Sequence, residues 1–298
     1  MDVVPSTYGA LCVNNSYKVE RLTETDVKAI HAFIRDFDWD YSESDVRQIL
    51  TTGHVFGCKD EKGVLLGCAA LITYEKENIA TLGLVMVDPT ERGRGLGRQL
   101  TVACVDAVPE SASTILIATG QGQPLYEKLG FVPVSEVSSY VCQDVGVWGR
   151  VDERNHPNIR AYDADDFEAV VRVDERAFGD SRHEFLKRRI AAAKRAFVWI
   201  EDEKVVGYGL SVSARKNVML GPIVCQNVRQ VTDMICSLVH GETGSFRMDT
   251  PHFEPELDHW LHNNHFKLYA TAQMMVRNGL SSKEEPSTRY AIAAQIFG

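Results

Sequence analysis

The stretch that decides the fold is Val85-Met86-Val87-Asp88-Pro89-Thr90-Glu91-Arg92-Gly93-Arg94-Gly95-Leu96-Gly97-Arg98-Gln99-Leu100. An apolar strand ends at Asp88-Pro89, because proline has no N–H for a ladder and restrains the residue before it. Glycines at 93, 95 and 97 then let the backbone approach a ligand with no Cβ in the way. Apolar spacing from Leu96 onward predicts a helix, so its unpaired first amides and the positive end of its dipole converge on one point. That point is an anion site suited to a pyrophosphate, and Arg92, Arg94 and Arg98 add positive charge around it. A bare tight turn would also use glycine, but it has no need of three arginines between an apolar strand and a helix start. The stretch does not follow the chain's first strand and lacks a Lys-Ser/Thr pair, which separates it from the dinucleotide fingerprint and the P-loop.

Upstream, a strand over 18–22 leads to a helix opened by Thr23, with Asp26 in the capping-box position. Val27, Ile30, Phe33 and Ile34 keep the helical period. A short connection over 36–41 precedes a second helix capped by Ser42 or Ser44. Strands then flank the turn Asp60-Glu61-Lys62-Gly63, the second of them over 64–74, and another strand covers 79–87. Downstream come a helix over 96–108, a strand over 114–118, a short helix over 124–129 and a strand over 131–141. After the polar stretch 143–157 the order repeats: strand 158–162, helices 165–178 and 181–195, strands 197–201, 205–213 and 218–225, helix 228–239, strand 246–249, helix 255–263 and strand 266–276. Local parallels fall in the same order, Leu82-Gly83 with Leu220-Gly221 and Leu129-Gly130-Phe131 with Asn264-His265-Phe266, which points to a degenerate duplication.

The expected fold is therefore α/β, more closely α+β: two domains, each a mixed, mostly antiparallel sheet flanked by helices. A chain of 298 residues exceeds a comfortable single core, which agrees with two domains. The expected boundaries are a tail over 1–16, a first domain over 17–147, a linker over 148–157 and a second domain over 158–298. At 44% apolar and 24% charged, the composition is that of a soluble globular protein. No apolar run is long enough to span a membrane, and residues 1–16 lack a secretory leader's pattern. The net charge of −9 argues against broad nucleic-acid binding and suits a cationic partner. Seven scattered cysteines without a C-x-x-C pair fit a reduced, cytoplasmic protein.

The quoted stretch resembles the acyl-CoA-binding R-x-x-G-x-G motif of the GNAT N-acetyltransferase superfamily. The segment Leu125-Tyr126-Glu127-Lys128-Leu129-Gly130-Phe131 is similar to that family's downstream Leu-Tyr-x-x-x-Gly-Phe signature. The two together cover the domain 17–147. The resemblance implies that acetyl-CoA is the acyl donor and that Arg92, Gly93, Arg94, Gly95, Leu96, Gly97 and Arg98 cradle its pyrophosphate. Val85, Met86 and Val87 line the pantetheine and acetyl group on a strand that splays from its neighbour, with Thr119 nearby. It implies that Tyr126 protonates the departing thiolate; a core aromatic is the other reading of that residue. A main-chain N–H at Met86 or Val87 would hold the oxyanion.

The resemblance implies an acceptor bordering the loop between the first two helices, here 36–41, where Asp38, Trp39 and Asp40 could receive a cationic amine. That loop reads equally as a solvated acidic loop with its aromatics in the core. The function expected is transfer of acetyl from acetyl-CoA to a small-molecule or peptide amine, with a non-catalytic acyl-CoA-binding sensor as the alternative. No metal is expected: His252, His259, His262 and His265 lack a completing ligand set. No nucleic-acid or membrane partner is expected, and a homodimer is an allowed assembly. The second half has no glycine cradle, and Leu261 stands where Tyr126 stands in the first. It is expected to wall the acceptor cleft without binding CoA, and its segment 174–182 resembles the second domain of tandem-GNAT proteins.

Overall fold

The computed structural model describes residues 17–143, 157–279 and 288–298. The expected tail over 1–16 and all but the last residue of the expected linker lie outside these residues. The first half runs β1 (Val19–Arg21), α1 (Val27–Asp36), α2 (Glu43–Thr52), β2 (Gly53–Lys59), β3 (Leu65–Thr73), β4 (Ile79–Val87), α3 (Leu96–Val105), β5 (Ser113–Ala118), α4 (Gln123–Glu127) and β6 (Val132–Cys142). The second runs β7 (Ile159–Ala161), α5 (Phe167–Phe178), α6 (His183–Ala191), β8 (Ala193–Glu201), β9 (Lys204–Ser213), β10 (Val218–Val224), α7 (Val228–Val239), β11 (Phe246–Thr250), α8 (Pro255–Asn263), β12 (Lys267–Arg277) and β13 (Arg289–Ala291).

Local sequence explains the helix entries. The Thr23 N–H donates to Asp26 at 2.9 Å, and the Ser42 N–H donates to Asp45 at 2.8 Å while Asp45 N–H returns to Ser42 Oγ at 3.1 Å. Helix α1 buries Val27, Ile30, Phe33 and Ile34, the four positions its period selects. The helix expected over 181–195 ends sooner, at Ala191, because β8 begins at Ala193 and pairs with β9.

All strands join one mixed sheet in the order β1-β2-β3-β4-β5-β12-β6-β11-β10-β9-β8-β7, with β13 added to β10. Only β4–β5 and β10–β11 among these pairs are parallel. The two halves exchange their closing strands: β12 of the second lies against β5 of the first, and β6 of the first lies against β11 of the second. The two swapped strands pair with each other from Val132↔Val276 to Val141↔Lys267. The division expected between 147 and 158 falls largely outside the described residues, and the sheet itself runs unbroken through both halves. A strand's alternation specifies which face is buried but not which edge will supply its partner.

Buried polar contacts lock the halves. Asp45 on α2 pairs with Arg189 on α6 at 2.9 Å, and Arg189 Nη2 donates to Ala293 O at 2.7 Å. The fully buried Asp180 accepts from the backbone N–H groups of Lys76, Asn78 and Ile79 at 3.0, 2.8 and 3.1 Å. Within the second half, Arg182 braces this segment: it grips Asp174 through two bonds of 2.8 and 2.6 Å and donates to Phe297 O at 3.0 Å, stacked over Phe178. The 174–182 segment thus supplies interdomain anchors. One apolar core runs through the junction, joining Ile30, Phe33 and Ile49 to Phe178, Phe185, Ile296 and Phe297.

Candidate active site

The site begins with a defect in β4. Cys68 faces Met86 and Ala70 faces Gly83, so Leu84 and Val85 together oppose Ala69. Leu84 takes φ +51°, in the left-handed region that side chains avoid, and the resulting bulge bends the strand. On its other edge β4 pairs with β5 only from Ile79↔Ser113 to Leu82↔Leu116. Past Leu82 the strands part. Asp88 N–H donates to Leu66 O on β3 at 2.8 Å, so strand alternation turns the Val87 main chain toward the gap and that of Met86 toward β3. Arg92 Nε, donating to Val87 O at 3.3 Å, reaches it from the gap.

The gap leads to the start of α3. Gly93 and Gly95 hold φ +75° and +89°, and Gly95 is the N-cap residue. The first intrahelical bond there runs from Gln99 N–H to Gly95 O at 3.1 Å, and no side chain caps the helix. The amides of Leu96, Gly97 and Arg98 are thus left outside the helical ladder. The Leu96 side chain is buried in the core, which leaves its main chain alone at the turn. The arginines differ: Arg94 bonds Glu91 at 3.2 Å, Arg92 stacks 5.6 Å over Phe37, and Arg98 is exposed with no ion-pair partner among the described residues.

Beyond the bulge opens a cleft of about 840 Å³ between the two halves. From the first half it is lined by Asp38, Trp39, Asp40, Val85, Thr119 and Tyr126, all named by the sequence; Met86 is buried beside it and Val87 is half-buried. Tyr126 is 8% exposed and packs edge-on against Phe131 at 6.0 Å, and its hydroxyl has no hydrogen-bond partner among the described residues. Burial, with a lesser push from Cys104, holds its phenol well above the ordinary range, so it stays protonated. Burial likewise pushes the Cys68 thiol up to about 12, which removes it as a nucleophile.

The second half supplies what the sequence did not disclose. Lys216, Asn217, Arg247, Asp249, Tyr269 and Gln295 line the opposite wall. Arg247 and Asp249 form a two-bond pair of 2.8 and 2.9 Å, and Arg247 also donates to Ser139 Oγ at 3.2 Å. Their spacing of two along β11 was the available signal, since it puts opposite charges on one face of a strand. The acidic loop over 36–41 is clasped from this side. Asp38 pairs with Lys216 and with Arg215 at 2.7 Å, and Arg215 Nε donates to Trp39 O at 2.9 Å. Asp40 accepts from Lys216 N–H and Asn217 Nδ2, each at 2.5 Å, and has no ion pair among the described residues. Phe37 and Trp39 pack against the core, as the second sequence reading of this loop has it, and Trp39 also borders the cleft.

The second half repeats the β4–β5 geometry at β10–β11. The parallel pairing covers only Val218↔Phe246 and Met219↔Arg247, and a register shift follows Leu220. Here the gap is filled: Ile223↔Ala291 and Val224↔Arg289 pair antiparallel, and Cys225 N–H donates to Thr288 O at 2.9 Å. The histidines singled out in the sequence form no metal cluster among the described residues. His262 Nδ1 lies 2.8 Å from Asp258 O and His252 packs on Tyr290. No helix among these residues is long and apolar enough to cross a membrane.

This geometry agrees with comparison to known proteins. Residues 51–133 and residues 170–291 each match a family described as acetyltransferase (GNAT) domain. An uncharacterized N-acetyltransferase of Bacillus subtilis, YitH, is 29% identical over 78% of this chain and 81% of its own. A putative acetyltransferase from Pyrococcus horikoshii superposes with a TM-score of 0.76 at 17% identity, covering 98% of this chain and 100% of that one. A tandem GNAT protein from the clavulanic acid biosynthesis pathway gives 0.62 at 11% identity, covering 90% and 100%. The chain belongs to the GNAT N-acetyltransferase superfamily and carries two GNAT domains in tandem.

Proposed function

We propose that the first domain binds acetyl-CoA in the β4–β5 gap and transfers its acetyl group to a primary amine by direct attack in a ternary complex. The observation that carries this is the coincidence of three features: an unpaired strand edge over 83–87, an uncapped helix start at Gly95, and the Tyr126 hydroxyl in the cleft between them. The diphosphate is held by the amides of 96–98 with Arg92, Arg94 and Arg98 around it, Gly93 and Gly95 supplying the turn. The pantetheine arm lies along Val85, Met86 and Val87, with Thr119 across the gap.

An amine with the usual lysine-like pKa of about 10.4 is almost wholly protonated near pH 7, a deficit of roughly 4–5 kcal/mol. Asp40 is the cleft carboxylate without a cation paired to it among the described residues, and it is placed to accept that proton directly or through water. Attack on the thioester carbonyl builds an oxyanion beside the β4 bulge; of the two amides named from the sequence, Met86 turns to β3 and Val87, next to the diphosphate cradle, meets the pantetheine arm, so a main-chain amide at the bulge is the one to stabilise it. Collapse expels the thiolate, to which Tyr126 donates. Trp39 and Tyr269 offer ring faces to the cationic acceptor. The second domain acts as the acceptor wall.

A thiol-release screen of amines with acetyl-CoA tests this reading. Release that depends on one amine class, together with formation of its amide, is expected. Tight acetyl-CoA binding with no release across the panel would instead favour a non-catalytic acyl-CoA sensor.

A further inference from the structure

The second domain's gap contains the chain itself. Residues 288–291 lie on β10 in the place that is open beside β4, and Ile292 N–H then bonds Asp249 O at 3.0 Å on the other side of the gap. The fit is close: a methyl group at Gly221 would sit 2.0 Å from Ile292 O. From there the segment crosses into the first domain. Thr81 Oγ1 donates to Ile296 O at 2.6 Å, and Tyr74 Oη donates to Phe297 O at 2.7 Å. Ile296 lies flat on the β4 bulge, its Cδ1 2.8 Å from where a Gly83 Cβ would stand, and Ala294, Gln295 and Ile296 all border the cleft.

The acyl group must end close to this contact. The diphosphate cradle adjoins Val87, and four residues of strand from Val87 back to Gly83 span roughly 13 Å at about 3.3 Å each. An extended pantetheine arm along that edge delivers its thioester beside Gly83 and Leu84. What stands beneath the bulge on the cleft side is Ile296, wholly buried and fixed through its own carbonyl.

Resting on the acyltransferase reading above, we propose that residues 288–296 are an intramolecular occupant of the second domain's cofactor gap whose onward course sets the acyl size the first domain accepts, with Ile296 as the floor and Ala294 beside it. The second domain thereby becomes a mount for a specificity element of the first.

Calorimetric titration of the full chain with CoA, acetyl-CoA, butyryl-CoA and hexanoyl-CoA tests the proposal. Each methylene that finds buried space is worth about fourfold in affinity, and one driven against a fixed wall loses that gain and adds the cost of overpacking. The wild-type chain is expected to bind butyryl-CoA at least tenfold more weakly than acetyl-CoA. Ile296→Ala should raise the butyryl-to-acetyl affinity ratio about tenfold. Gly221→Ala, in the other domain, should move the ratio the same way by unseating Ile292. Should either variant fail to fold, Ala294→Leu remains, which raises the floor and should lower the ratio further. A flat affinity ladder in the wild type, or a ratio unmoved by Ile296→Ala and Ala294→Leu, overturns the proposal while leaving CoA binding intact. Absence of CoA binding in the wild type overturns the acyltransferase reading and this proposal with it.

Discussion

Replacing Tyr126 by Phe separates chemistry from architecture. The ring packs against Phe131 and against Gly122, where an added Cβ would come within 2.9 Å of Tyr126 Cε2, and phenylalanine keeps both contacts. The hydroxyl gives up no hydrogen bond among the described residues, so stability should change by no more than ~0.5 kcal/mol. Removing a general acid costs about 10²–10⁴-fold in rate. The lower end is expected here. A phenol held above its ordinary pKa of about 10 cannot fully protonate a thiolate of about 8.5 without climbing at least ~2 kcal/mol, so its service is mainly a hydrogen bond to the departing sulfur. The assay is thiol release from acetyl-CoA with the best amine of the screen, beside acetyl-CoA affinity by calorimetry and a thermal melt. Turnover reduced about a hundredfold with affinity and melting unchanged is the expected result. Undiminished turnover would refute the argument and return Tyr126 to the core.

Three further outcomes follow from the same structure. With Asp40 taking the acceptor's proton inside the complex, the rate at limiting amine should change little from pH 7 to 9, Asp40→Asn should bring a rise of about tenfold per pH unit toward the acceptor's pKa, and Tyr126 should add no falling limb below about pH 10, since burial keeps it protonated; a decline between pH 7 and 9 in wild type that Tyr126→Phe abolishes would contradict this. Arg189→Met should destabilise the chain by about 3–5 kcal/mol in urea unfolding, because Asp45 loses its buried cation, and Asp45→Leu added to it should recover much of the loss. Gly97→Ala should leave the melting temperature unchanged, since its Cβ would meet Val87 Cγ2 at 3.5 Å and Leu125 Cδ2 at 3.7 Å, both ordinary contacts.

The elements of the first half were legible because their signals are local. Thr23 with Asp26, Ser42 with Asp45, and the period of Val27, Ile30, Phe33 and Ile34 act within a few residues, and β4 fell on 79–87 as read. The turn proposed to hold the donor was visible for the same reason: the glycines and arginines of 92–98 adjoin the strand they follow. The acceptor side was not. Arg247, Asp249, Lys216 and Gln295 reach the cleft through the exchange of β6 and β12 and the passage of 288–298, and a strand's own residues do not say which edge it will join. The acidic loop shows the same limit. Asp38 looks free in sequence, but Arg215 and Lys216, far along the chain, already hold it. Strand β13 has three residues, too short for any period to reveal.

The most direct test of the account is titration of acetyl-CoA into the purified chain and into its Gly95→Val variant. Gly95 caps α3 at φ +89°, a conformation a β-branched residue resists, so the variant should lose the arrangement of amides that grips the diphosphate. One equivalent bound by the wild-type chain, and affinity reduced at least a hundredfold in a variant that still melts cooperatively, is the expected result. Two equivalents, or affinity undisturbed at Gly95→Val, would contradict it.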